Sequence, residues 1–391
     1  MDDHSVDMGI GEIVSEFPET VEEELVSDDI PVKRLEDAFD DIAESDTVAA
    51  ESIVSNDNSQ VGKKSMKVYV RVRPLTKAKE TTTISRFTET TLVTMAPSTS
   101  NRAKYTKTEE RHYEFNKVFG PEHAQPVVFD GMVAPLQERF LAGDSCVTFA
   151  YGMTNSGKTH TIQGNKSEPG VLPRLVRSVL ERFDGKDSWE LNVSMLEIYQ
   201  ENVYDLLGRK KEKLKIRDIN GRIDVTNLTS HSLLSADEAM KLMDKAAKAR
   251  SRARTLLNMG SSRSHAIYTL NLTQVMDGRE ITSAFQVVDL AGAERMNRTK
   301  ASSTQVKEAN NINTSLMQLW RCLHAMSRAR SGRGYDLIPF RECKLTHLLM
   351  PLLGRAGLDG VAMIACVNPR DADYDETISI LSNASIACNI Q

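Results

Sequence analysis

The chain has 391 residues, 40% apolar and 26% charged, with a formal charge of −5. No apolar run reaches the roughly 18 residues of a membrane span, and the start, with Asp2, Asp3 and Asp7, lacks the basic and apolar regions of a secretion signal. Five scattered cysteines (Cys146, Cys322, Cys343, Cys366, Cys388), an odd number with no CxxC pair, exclude a disulfide frame or a zinc ribbon and fit small buried hydrophobes.

Charge divides the chain. Residues 1–60 hold 19 acids and two bases, a net of −17; the rest hold 35 acids and 47 bases, a net of +12. Residues 1–62 therefore read as an acidic tail with too little apolar surface to offset ordering entropy. Leu35, Ala38, Phe39 and Ile42 fall at helical spacing, so a short amphipathic helix and a solvated arm are both open readings there. Residues 63–391 form the folded domain, whose basic balance favours an acidic partner: nucleic acid, anionic lipid or an acidic protein surface.

In chain order, Lys67–Leu75 alternates as a strand that Pro74 stops. Pro126–Leu141 reads as a helix and Cys146–Gly152 as a buried strand. Strands follow at the start of Leu191–Leu207, at AIYTLNLTQVM, at FQVVDLAG and at Ala362–Pro369, with helices at Ser235–Thr255 and Val306–Arg330 between them. Strands interleaved with helices predict an α/β fold: a central, mostly parallel sheet with helices on both faces.

The strand at Cys146 runs into Gly152, Met153, Thr154, Asn155, Ser156, Gly157, Lys158 and Thr159, a G-x-x-x-x-G-K-T pattern. Glycines there let successive backbone N–H groups face phosphate oxygens; the lysine reaches the outer phosphates and the hydroxyl serves a Mg2+ ion. The metal-side acid is Asp289, at the carboxyl end of FQVVD. Gly292 leaves room for a backbone N–H at the last phosphate. No N-K-x-D guanine reader is present (NKSE at Asn165–Glu168 ends in the wrong acid), so the base is read as adenine and the cofactors as ATP and Mg2+.

Four more stretches, NMGSSRSH (Asn258–His265), DLAGAER (Asp289–Arg295), KEANNINTSL (Lys307–Leu316) and IPFRECKLTHLL (Ile338–Leu349), join RVRP (Arg71–Pro74) and AYGMTNSGKTHT. In order and spacing they resemble the kinesin motor domain, a P-loop NTPase fold, over about residues 63–390. TNSGKTHTIQG, NINTSL and NPRDADYDETISIL resemble the mitotic kinesin-like subfamily of the central spindle in cytokinesis. The resemblance implies that Arg71, Arg73 and Pro74 with His160 frame the adenine. It also implies that Asn258, Ser261, Ser262, Arg263 and Ser264 form the first switch, with Ser262 in the Mg2+ shell beside Thr159 and Asp289. Asp289, Gly292 and Glu294 would form the second switch, and an Arg263–Glu294 ion pair would close the site. The helix at Val306–Arg330 carries an apolar stripe (Ile312, Leu316, Leu319, Leu323, Met326) that reads as core. Its basic continuation (Arg321, Arg328, Arg330, Arg333, Arg341, Lys344) corresponds to the family's microtubule-binding face.

The expected activity is thus a microtubule-dependent motor head that hydrolyses ATP, in the cytoplasm on cytoskeletal microtubules of the spindle or midzone, with no nucleic-acid or membrane partner. A nucleotide-gated microtubule binder without directed motility is the alternative. A helicase fits the basic body but gives no reason for RVRP, SSRSH or KLTHLL. No heptad stalk and no coiled coil are legible, so the oligomeric state stays open, and the family's docking segment would follow Gln391. Five positions depart from the family pattern: Ala293 for serine, Met153 for glutamine, Gln305 and His347 for arginine, and Trp320 for glycine. Ala293 implies slower rather than absent hydrolysis, and Trp320 needs space to be packed.

Overall fold

The computed structural model describes residues 65–75, 81–98, 100, 110–185, 188–208, 212–219, 222–256, 263–294, 303–330, 337–356, 358–388 and 390. The expected tail at 1–62, with Asn258, Ser261, Ser262 and Arg333, lies outside these residues.

Ten strands of the described residues make one central sheet. They are β1 (Lys67–Val72), β2 (Lys117–Phe119), β3 (Cys146–Tyr151), β4 (Trp189–Tyr199), β5 (Asn202–Asp205), β6 (Lys213–Leu214), β7 (Ser230–Ser232), β8 (His265–Met276), β9 (Arg279–Asp289) and β10 (Val361–Val367). Their spatial order is β2-β1-β10-β3-β9-β8-β4-β5-β6, with β7 against β4. The half from β2 to β9 is parallel, as expected; from β9 through β8 and β4 to β6 every pairing is antiparallel. The sheet is therefore mixed. The reason is local: β8 and β9 are two arms of one hairpin, closed by Asp277 and Gly278, both at positive φ. An Asp-Gly pair is suited to such a two-residue turn.

Strand β3 is buried at all six positions, as a strand covered on both faces must be. Helices α1 (Gln125–Val128), α2 (Ala134–Leu141), α4 (Val171–Phe183) and α5 (Ala236–Leu256) contribute to the core on one face, around Phe140, Leu172 and Phe285. A π-helical turn, Phe129–Val133, joins α1 to α2, interrupting the single helix expected over 126–141. Between α2 and α4 in sequence lies α3 (Lys158–Ile162), the short helix after the glycine loop. Helices α6 (Ser303–Arg330), α7 (Lys344–Ala356) and α8 (Tyr374–Cys388) build the core of the other face, around Phe149, Leu323 and Leu349. The predicted stripe on α6 is buried at Leu316, Leu319, Leu323 and Met326, and Ile312 packs at its margin. All five cysteines are free thiols.

The unusual Trp320 finds its space on this second face. Its ring meets Tyr151 edge-on, with centroids 5.6 Å apart at 83°, a favoured aromatic geometry. Asn383 on α8 donates a 3.0 Å hydrogen bond to the Tyr151 hydroxyl. One side chain thus ties α6 to the last residue of β3, directly before the glycine loop. Trp320→Ala should destabilise the domain by about 3–5 kcal/mol, measured by urea denaturation.

Candidate functional site

The site forms where β3 and β9, side by side and parallel, end together: Ala150 pairs with Asp289. Carboxyl ends of neighbouring parallel strands leave an open crevice there. The glycine loop begins at Gly152, with φ +147° and the carbonyl of Cys366 2.3 Å from where a Cβ would stand. No side chain fits that approach. At the other end Gly157, φ +106°, precedes α3 in a left-handed turn. Lys158 is buried and folds over its own loop, donating to the carbonyls of Gly152 (2.9 Å) and Met153 (2.7 Å). Burial lowers its pKa, opposed by Asp289 and Glu294. The Met153 side chain belongs to the core, so its part in the loop is played by the backbone.

Beneath the loop lies a cluster of buried charge. Thr159 Oγ1 donates to Asp289 Oδ2 at 2.8 Å, and Arg250 Nη1 reaches the same oxygen at 2.7 Å. Arg250 also donates to the carbonyl of Ser264 (3.1 Å), and its Nε stands 3.6 Å from Glu197 Oε1, which accepts from the Ser264 hydroxyl at 2.7 Å. Burial works against the guanidinium charge, but Asp289, with Tyr268 and Glu197 behind it, outweighs burial and holds the Arg250 pKa above its usual range. Asp289 Oδ1 is buried and has no hydrogen-bond partner among the described residues. A carboxylate oxygen left over beside a threonine hydroxyl is a hard oxygen donor set, suited to a divalent cation of the magnesium type.

At the other end of the cleft, Arg71 Nη1 is held by Gln125 Oε1 and Thr161 Oγ1, both at 3.0 Å. Gln125, itself buried, donates through Nε2 to the His160 carbonyl at 2.6 Å and lies 3.1 Å from His160 Nδ1. Burial, then Arg71, lowers the His160 pKa. Arg73 bonds the Asn155 carbonyl, and Pro74 stands exposed at the rim. Arg71, Arg73, Pro74, His160, Lys158 and Thr159 are among the residues lining one cleft of about 730 Å³.

After β9 the chain returns to the glycine loop. Ala293 donates its N–H to the Gly152 carbonyl at 3.1 Å. Glu294 Oε2 accepts from the Thr154 N–H at 2.8 Å, and Oε1 from the Thr154 hydroxyl. A Cβ on Gly292 would lie 2.2 Å from that carboxylate. The segment after β9 is thereby in contact with the glycine loop.

A family model of the kinesin motor domain matches residues 71–390. The chain belongs to the kinesin family. Among curated proteins it is 36% identical over 297 residues to the human chromosome-associated kinesin KIF4A, covering 72% of this chain and 24% of that protein. To the mouse kinesin-like protein KIF14 it is 32% identical over 366 residues, 88% of this chain and 22% of that one. The chain thus spans about a quarter of the length of the curated relatives it matches. Among solved structures it is similar to a KIF14 dimer, two-heads-bound with AMP-PNP in complex with a microtubule: 30% identity, TM-score 0.72, 83% of this chain and 94% of that. A fast kinesin is similar at 27% identity and TM-score 0.73, covering 84% and 92%.

In this kinesin domain Glu294 gives both oxygens to Thr154, whose adjacent N–H and hydroxyl match a carboxylate, while Arg263, the partner expected for it in the closed site, borders a separate hollow with Tyr199, Glu201 and Ile312. The basic continuation of α6 is partly neutralised within the chain. Arg321 pairs with Glu342 at 2.7 Å, and Arg341 pairs with Asp218. His347 is half-buried; burial, then Lys344 and Arg341, lowers its pKa.

Sequence reasoning missed Arg250, Glu197, Gln125 and His265. Arg250 lies in RSRAR, a basic run that looks like a solvated face, and only its helical phase toward β9 distinguishes it. Removing it would leave two buried carboxylates without their cation. Arg250→Met should cost about 3–5 kcal/mol of stability, read as a lowered urea midpoint at unchanged denaturant slope.

Proposed function

We propose that the chain is a microtubule-dependent motor head that binds and hydrolyses ATP and couples the γ-phosphate state to microtubule affinity. The observation that carries this reading is the contact of the two loops: Ala293 and Glu294 sit directly on Gly152 and Thr154. A group arriving at Gly292 must therefore disturb both. Arg71, Pro74 and His160 are suited to hold a flat base between cationic and planar groups. Backbone N–H groups of 154–159 and the Lys158 ammonium would hold the phosphates. Thr159 and Asp289 would hold a Mg2+ ion, which supplies charge neutralisation on the phosphate oxygens when bound. Positioning and charge stabilisation dominate such phosphoryl transfer to water. Closing would require Glu294 to exchange Thr154 for Arg263. Asn258 and Ser262, in the first switch by resemblance, would complete the site.

The similarity to a kinesin solved on a microtubule supports the partner, and relatives described as chromosome-associated kinesins support a place on spindle microtubules. A second reading, a nucleotide-gated binder with weak ATPase, is favoured by Ala293, which brings no hydroxyl to the cleft, and by the internal pairs of Arg321 and Arg341.

Steady-state phosphate release decides between them. The motor reading expects microtubules to raise kcat well beyond about twofold, whereas the binder stays below that, its closure not being coupled to the track. Lys158→Ala and Glu294→Ala should each lower kcat by about 10²–10³, as the loss of a preorganised transition-state contact does. Microtubule co-pelleting should weaken steeply as salt rises from low to physiological ionic strength; a flat response rejects an electrostatic footprint.

A further inference from the structure

We propose that His265 is a positioning residue that joins the loop after β9 to helix α6, and that it passes a displacement of Leu290–Gly292 into that helix. The inference rests on the motor reading above and deepens it.

His265 opens β8 and is almost fully buried. Its Nδ1 accepts the N–H of Ala291 at 3.1 Å, and its Nε2 lies 2.9 Å from Ser315 Oγ on α6. A backbone N–H can only donate, so Nδ1 must carry the lone pair and Nε2 the proton. Nε2–H therefore donates to Ser315, and the Ser315 hydroxyl in turn donates to the Ile312 carbonyl at 2.8 Å. The result is a chain of donors running one way, Ala291 to His265 to Ser315 to Ile312, with every member satisfied. An ionised ring would set N–H against N–H. Burial, then the neighbouring Arg250, holds the His265 pKa down to about 3, so the ring stays neutral.

The two ends of this chain are what make it a coupling. Ala291 sits between Leu290, whose N–H bonds the Ala150 carbonyl, and the Gly292–Glu294 segment on the glycine loop. A movement at Gly292 shifts the Ala291 peptide first. Ser315 lies beside the buried stripe Leu316, Leu319 and Leu323. Those leucines pack without preferred direction, whereas the hydrogen bond fixes the height and rotation of α6 against the sheet. A signal reaching α6 through apolar contact alone would have no such register.

The test uses Ser315, which touches neither cleft nor loop. In the full chain, Ser315→Ala should keep basal phosphate release and ADP affinity within about twofold of the parent. Stimulation by microtubules should fall by about tenfold, the scale of one lost buried hydrogen bond. Ser315→Thr, which keeps the hydroxyl, should restore it. Hydrogen–deuterium exchange of residues 303–330, with Mg-ADP and with Mg-AMP-PNP, gives a readout that needs no microtubule. The parent should show a nucleotide-dependent difference in α6 that Ser315→Ala loses and Ser315→Thr regains. If the parent shows no microtubule stimulation, the motor reading fails and the exchange data alone decide the coupling. The proposal is overturned if Ser315→Ala keeps the parent's exchange difference, or if the parent has none. It is also overturned if Ser315→Thr fails to rescue while both variants melt equally early, which marks a packing effect.

Discussion

A guanidinium buried between two carboxylates holds the functional end of this molecule together. Arg250, from α5, meets Asp289 at the tip of β9 and Glu197 on β4, and reaches the carbonyl of Ser264 just before β8. Charges at such depth are expensive to desolvate, and they persist because each is paired. The same carboxylate receives Thr159 from the first turn of α3. One arginine thereby connects helix α5, the tip of β9, the start of β8 and, through Asp289, the loop expected to hold phosphate. Any rearrangement of one of these elements changes the electrostatic balance of the others.

The rest of the fold makes that cluster rigid. Parallel strands β3, β9 and β10, covered by helices on both faces, end in register beneath the glycine loop. Core packing at crystal-like density leaves little compliance, so motion is confined to what lies above the strand ends. The Trp320–Tyr151 contact and the His265–Ser315 bond are two places where α6 touches this platform, one apolar and one directional. Together they define how the long helix sits relative to the cleft.

Much of this was readable from residue types. The glycine loop was legible because its function demands glycine, lysine and a hydroxyl at set spacing, and Asp289 because a buried apolar strand ends on an acid. The α6 stripe was legible from helical periodicity. Arg250 was not, because an arginine among RSRAR has no local mark of burial; depth is a property of the packed helix. Gln125 and His265 act through partners 35 to 54 positions away, or 26 and 50, and no local pattern encodes such distances. The Glu294–Thr154 contact was illegible for a related reason: complementary charge identifies possible partners, while the adjacent donors of Thr154 decide which one is met here. The basic continuation of α6 likewise looked more cationic in sequence than it is, since Asp218, far off in sequence, meets Arg341. The antiparallel half of the sheet went unread although Asp277–Gly278 announces the turn.

That turn has a consequence for the opposite end of the molecule. Eleven residue pairs run from the Asp277–Gly278 turn to the last pair, Ala266–Asp289, a span of about 35 Å. Pleating alternates with every residue, so slipping by one at the turn would rotate His265 and Asp289 to the wrong faces together. The alignment of His265 and Asp289 is thus inherited from a solvent-side bend far from the cleft, and a lengthened loop there would misaddress side chains it never touches.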